Sequence, residues 1–148
     1  MAKKFGERVV LAFDYGTGSI GVAVGNEVTF TVSCLKAIKA NDGIPDAREL
    51  EQRFLDWNPD AIVVGLPLNM DGTFQEVTYR ARKFGNRLGA KYKLPVFFKD
   101  ERLTTKSARE QLFAEGGYRN LSKGAIDSCS AQVILEGFWE EQELKGEE

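Results

Sequence analysis

Apolar residues in this chain fall into runs of two kinds, continuous and periodic. Val9 to Phe13 and Ala61 to Leu66 are short, unbroken and rich in β-branched residues, the pattern of strands buried on both faces. Ile20 to Asn26 follows the first run after a turn carrying Gly16 and Gly18, and reads as the returning strand of a hairpin. Val28, Phe30 and Val32 alternate with Thr29, Thr31 and Ser33, so Val28 to Leu35 is expected as a half-exposed third strand. Pro95 to Phe98 is expected as the last strand. Helical spacing places Ala47, Leu50, Phe54 and Trp57 on one face, with Pro45 in the first turn and Asn58-Pro59 as the stop. Val77, Ala81, Phe84 and Leu88 form a second stripe. A short helix capped by Thr104 or Thr105 carries Ala108, Leu112 and Phe113, and Tyr118 to Gly124 reads as a mobile basic loop. The final helix is expected from about Ala125 to Glu143.

Three meandering strands followed by helix, strand, helix, strand and two helices predict an α/β fold. We expect a mixed five-stranded sheet with helices on both faces, and right-handed crossovers give the order 3-2-1-4-5. The carboxyl ends of the first, fourth and fifth strands then share one edge, where open α/β sheets gather their ligands. Asp14 ends the first run at that edge, Asn69-Met70-Asp71-Gly72-Thr73 follows the fourth strand, and Asp100-Glu101 follows the fifth. The fifth strand lies two places from the first, roughly 10 Å at ordinary strand spacing. Glu101 must therefore reach back towards Asp14, or Asp71 or Asp100 takes its place.

With 148 residues, 43% hydrophobic and 28% charged, the chain is expected to be a single soluble domain, 1–148, with an acidic tail from about residue 140. No apolar run approaches a membrane span, and the one near the N-terminus is too short for a secretory signal, so we expect a cytoplasmic protein with no membrane partner. Cys34 and Cys129 lack metal spacing and are expected as small reduced core residues.

The chain has no histidine, which removes the commonest general base and every His-ligated metal site. Catalysis would have to rest on carboxylates, whose preferred cations are hard ones such as Mg²⁺ or Mn²⁺. Net charge is -2, yet Arg80 to Lys123 holds 12 Lys and Arg against 4 Asp and Glu, while Glu136 to Glu148 holds 6 Glu against 1 Lys. A basic middle of this kind suits phosphate groups. The plainer reading is a solvated helix surface.

Asp127 shares a face with Ala131, Ile134 and Phe138, at offsets of 4, 7 and 11, so it lies on the stripe that packs against the sheet. A charge there costs several kcal/mol, of order 3–5, unless it is paired or holds a metal. Singly, Asp14 reads as a turn cap, Asp127 as a helix cap and Glu101 as a loop acid beside Arg102. Together the three can converge at one sheet edge. Gly16, Gly18 and Gly21 leave the turn after Asp14 bare enough for a phosphate to approach.

Four segments in this order resemble the YqgF family of nucleases in the ribonuclease H-like superfamily: residues 11–25 around Asp14, Val64 to Gly72, Asp100 to Thr105, and Lys123 to Ser128. The resemblance covers nearly the whole chain. It implies a ribonuclease H-like fold, Asp14, Glu101 and Asp127 as the catalytic and metal-binding acids, and trimming of the 5′ end of precursor 16S ribosomal RNA. Family members are also described as Holliday junction resolvases. One or two Mg²⁺ or Mn²⁺ ions in such a cluster would activate water and stabilise the leaving oxygen without any histidine. Arg102, Lys123 and Arg82 would contact phosphates, and Gly65 to Pro67 with Asn69 would shape the cleft floor. We expect structured RNA as substrate and a monomer, since a junction resolvase calls for a symmetric dimer. A catalytically silent nucleic-acid-binding module and an ATP-binding domain built on the Asp14 turn are the rival readings; the chain is too short for the two lobes of the latter.

Overall fold

The computed structural model describes residues 3–101 and 123–146, with side chains described at 130–144 in the second segment. Its elements are β1 (Val9–Asp14), β2 (Ser19–Asn26), β3 (Thr31–Asn41), β4 (Ile44–Pro45), α1 (Ala47–Trp57), β5 (Ala61–Leu66), α2 (Glu76–Tyr92), β6 (Val96–Asp100) and α3 (Lys123–Gly146). The sheet order is β4-β3-β2-β1-β5-β6. This is the expected order with one addition: the two-residue β4 pairs with the end of β3 through Ala40 opposite Pro45. β1 is central, antiparallel to β2 and parallel to β5, and β5 is parallel to β6. Its uninterrupted apolar sequence follows from that position, because Leu11 and Phe13 face one layer while Val10 and Ala12 face the other.

On the first face, Leu11, Phe13, Val22, Ile62 and Val64 pack against Leu50 and Phe54 of α1 and Ala81, Phe84 and Leu88 of α2. On the second, Val10, Ala12, Ala61 and Val63 pack against Ala131, Ile134, Leu135, Phe138 and Trp139 of α3. Ala81, Phe84 and Leu88 of α2 and Ala131, Ile134 and Phe138 of α3 are buried as their spacing predicts, whereas α1 buries Leu50 and Phe54 and leaves Ala47 exposed. No helix among the described residues is long and apolar enough to cross a membrane.

Several local expectations change. The third strand begins at Thr31 rather than Val28. Asn26 Oδ1 accepts the Val28 N–H, and Phe30 has a left-handed φ of 50°, so Val28 to Phe30 belong to the reversal although their alternation mimics a strand. Pro45 lies in β4 instead of the first turn of α1; Asp46 caps that helix by accepting the Glu49 N–H at 3.0 Å. Trp57 is exposed at the end of its stripe, and Cys34 is exposed rather than core, with its Sγ 3.0 Å from Gln132 Oε1. α3 begins at Lys123, so Lys123 and Gly124 are helical where the loop was expected to continue. The expected helix after Thr104 and the loop from Tyr118 lie outside the described residues.

One polar cluster fastens the second layer. Glu27 is 0% exposed and forms a two-pronged ion pair with Arg8, Nε to Oε1 at 2.8 Å and Nη2 to Oε2 at 2.9 Å. It also accepts the Trp139 indole N–H at 2.8 Å and the backbone N–H groups of Gly6 and Arg8. The Arg8 guanidinium lies over the rings of Phe5, Phe97 and Phe138.

Candidate active site

Asp14 closes β1 opposite Gly21 of β2. On its other side β5 reaches the same edge at Gly65 and Leu66, and Leu66 pairs with Asp100 of β6, directly before Glu101. The sheet therefore inserts one whole strand between the two acids. Gly65 removes the obstacle: a Cβ there would come within 2.8 Å of both Glu101 Cγ and Cδ, so the Glu101 side chain occupies the space a larger residue would fill. Across that gap Glu101 hydrogen-bonds Asp14.

The pairing has an electrostatic signature. Burial, the Asp14 charge, the hydrogen bond to Asp14 and the nearby Asp100 charge together push the Glu101 carboxyl up to about 9 from its ordinary 4.5. Glu101 therefore keeps its proton at neutral pH, hydrogen-bonded to Asp14. A divalent cation is the other means of holding the two carboxyl groups together, and with only oxygen donors in the pair a hard cation suits it.

α3 runs towards this edge by its N-terminal end. Ile134 sits against Gly65 near the end of β5, Phe138 packs on Phe97 at 4.9 Å, and Trp139 reaches Gly25 and Glu27 at the opposite end of the sheet. Lys123 and Asp127 lie in the first part of this helix, but their side chains, and Arg102 entirely, fall outside the described residues. Among the described residues no three His, Cys, Asp or Glu side chains are grouped to hold a metal.

The turn after Asp14 opens a cleft of ≈ 370 Å³ lined by Asp14, Tyr15, Gly16, Gly18, Ser19 and Gly21. Gly16 is required by its tightness, since a Cβ would sit 2.5 Å from the Ser19 carbonyl oxygen. The turn is tied to β3 and β4: Ala40 N–H donates to Gly18, Gly43 N–H donates to Thr17, and the Tyr15 hydroxyl donates to the Gly43 carbonyl at 3.1 Å.

Asn69 and Asp71 are both held within the loop after β5. The Asn69 amide donates to Thr73 Oγ1 at 3.0 Å, and Asp71 accepts from Thr73 N–H and Oγ1 at 2.9 and 2.6 Å, so both brace the loop after β5. Glu101 itself makes the reach back to Asp14. The start of α2 is clamped to the same edge because Gln75 and Thr78 both donate to the Pro67 carbonyl, at 3.0 and 2.6 Å. Arg82 follows on the exposed side of α2, over the rings of Phe74 at 5.2 Å and Tyr79 at 5.5 Å. Gly65, Gln75 and Thr78 were not assigned these tasks by sequence; only the glycine's place one residue before the strand's end hinted at them.

The RuvX family, described as Holliday junction resolvase, matches residues 8–141. The chain belongs to the RuvX family. Relatives named "Putative pre-16S rRNA nuclease" include one from Aeromonas hydrophila subsp. hydrophila, 60% identical over 135 residues, covering 91% of this chain and 96% of that protein. Another, from Pseudoalteromonas translucida, is 55% identical over 138 residues, 93% of each chain. Among solved structures, RuvC of Thermus thermophilus in complex with Holliday junction substrate superposes with a TM-score of 0.57 at 15% identity, covering 90% of this chain and 95% of that one. The fowlpox virus Holliday junction resolvase gives 0.53 at 12% identity, covering 90% and 99%. These last two likenesses bear on the fold alone, and it is the ribonuclease H-like fold expected from the sequence. RuvX membership makes the chain a nuclease, a hydrolase of nucleic acid.

Proposed function

We propose that this RuvX nuclease trims the 5′ region of precursor 16S ribosomal RNA in the cytoplasm, acting as a monomer with Mg²⁺ or Mn²⁺ held by Asp14, Glu101 and Asp127. The observation that carries the reading is the Asp14–Glu101 carboxyl pair at the carboxyl edge of the sheet in a chain so similar to relatives bearing that name. When bound, the cations would supply an activated water and charge neutralisation at the leaving oxygen.

The chain's own contribution begins with position. Asp14 is fixed by the central strand, and Glu101 is laid over Gly65 so that both carboxyl groups face one point. The direction of α3 supports Asp127 as the third acid, because its backbone lies seven residues before Ile134, about 10 Å further along the axis towards the same edge. Gly16 and its neighbours leave room for the scissile phosphate beside Asp14. Arg82, with Arg102 and Lys123, would hold adjoining phosphates and so set the strand's register without reading bases.

The test is cleavage of a precursor 16S fragment and of a matched four-way DNA junction, with Mn²⁺, by wild type, Asp14→Asn and Glu101→Gln. Calorimetric Mn²⁺ binding supplies a readout independent of activity. The reading expects RNA cleavage lost by at least roughly 10³-fold in either variant, together with weakened Mn²⁺ binding. Paired symmetric cuts in the junction with the RNA left whole would replace ribosomal RNA by junctions as substrate. Unchanged cleavage by Asp14→Asn would remove the acids from the mechanism.

A further inference from the structure

A second cavity, with a volume of ≈ 400 Å³, lies between β4, α1 and α2 and includes Tyr15, the residue after Asp14, in its lining. That size lies within the usual range for small-ligand pockets, roughly 300–1,000 Å³. Its floor is apolar, made by Leu50, Phe84, Leu88 and the ring of Tyr15, with Ile44, 71% exposed, at the lip. Lys83, Arg87 and Lys91, spaced four residues apart on α2, form a row of positive charge along one wall. Asp42, the one acid among the lining residues, is engaged by Arg80, which donates to both its carbonyl and its carboxylate.

We propose that this cavity binds a nucleoside phosphate. The reason lies in the order of its chemistry. The Asp42–Arg80 pair at one end offers an acceptor and a donor of the kind that read a base edge, the apolar floor takes a flat ring, and the cationic row takes the phosphate. An acyl chain with one charged end would leave the Asp42–Arg80 end unused. Tyr15 links the pocket to the catalytic edge: its ring packs on Phe84 at 5.3 Å, its hydroxyl holds Gly43, and it follows Asp14 directly. The same chemistry could be presented by a free nucleotide or by a nucleotide of the RNA strand being cut.

Titration of the full chain with AMP, inorganic phosphate and laurate, followed by amide NMR shifts in EDTA, tests the proposal without requiring cleavage. AMP is expected to saturate, with shifts at Tyr15, Gly43, Ile44 and along Lys83 to Lys91, and phosphate alone to bind roughly tenfold or more weakly. Ile44→Asp and the pair Arg87→Glu with Lys91→Glu are each expected to weaken AMP by about tenfold or more, with unchanged thermal melting. Phosphate binding as tightly as AMP, laurate binding where AMP does not, or AMP shifts confined to Gly16–Gly21 would overturn it. Adding a 5′-phosphorylated oligoribonucleotide separates the sources: displacement of AMP assigns the pocket to a strand nucleotide, and simultaneous binding assigns it to a free one. A chain that binds AMP yet cuts no RNA would refute the ribosomal RNA nuclease reading and leave the nucleoside phosphate pocket standing.

Discussion

Replacing Gly65 by alanine would set a methyl group 2.8 Å from the Glu101 side chain and 2.5 Å from Ile134 Cδ1. Overpacking of this kind costs about 1–3 kcal/mol. The larger effect would fall on activity, since displacing a reacting group by ~1 Å can cost about 10²-fold. We therefore expect Gly65→Ala to fold, to melt lower and to lose most cleavage, as checked by urea denaturation alongside initial rates. Glu101 makes a further prediction through its raised pKa. Between its ordinary 4.5 and about 9 the folded chain keeps a proton that the unfolded chain releases, so stability falls as pH rises through that window. Denaturation midpoints in chelator should decline from pH 5 to 9, Glu101→Gln should flatten the decline, and added Mn²⁺ at pH 8 should reverse it. At this scale the sequence marked Asp14 as a candidate, because a carboxylate ending a buried apolar run is conspicuous. It did not disclose how Glu101 crosses a strand, since that depends on a missing side chain in a segment far away in the chain.

Elements whose burial is one-sided were legible from periodicity: α2 and α3 bury the residues their spacing selects, and α1 buries the middle two of its four, Leu50 and Phe54. Boundaries were less so. Val28 and Phe30 alternate like strand residues, but Asn26 captures the Val28 N–H and turns the chain before β3 can begin. Pro45 suits a first helical turn, yet Ala40 takes it into a two-residue strand and Asp46 supplies the better cap. α2 joins both facts of interest, a start clamped to Pro67 beside the acids and an exposed side bearing Arg82. If Arg82 neutralises a substrate phosphate, Arg82→Ala should lower the slope of log affinity against log salt by roughly 0.7 for single-stranded RNA. Filter binding over a salt series measures this directly, and an unchanged slope would confine Arg82 to its stack with Phe74 and Tyr79.

The molecule as a whole is a sheet between two helical layers, and the second layer hangs on a buried charge. Glu27 joins β2 to Arg8 before β1 and to Trp139 of α3, so its removal would strand the Arg8 guanidinium inside the protein. Breaking a buried pair in this way costs about 3–5 kcal/mol. Glu27→Ala should accordingly shift the urea midpoint strongly downward, and near-ultraviolet circular dichroism should show Trp139 losing its fixed environment. Nothing in the sequence marks this cluster, because Glu27 stands among turn residues and its partners are 19 and 112 positions distant. The sheet order was readable because handed crossovers leave few ways to connect alternating strands and helices.

That order also sets when the acid pair can form during the protein's own synthesis. The hairpins of β1, β2 and β3 use contiguous chain and can close early, whereas β5 must pair with a strand already inside the meander, and Glu101 emerges later still. A nascent chain stalled before Glu101 would display the Asp14 turn without its partner acid. The acid pair is thus complete only once most of the polypeptide has been made.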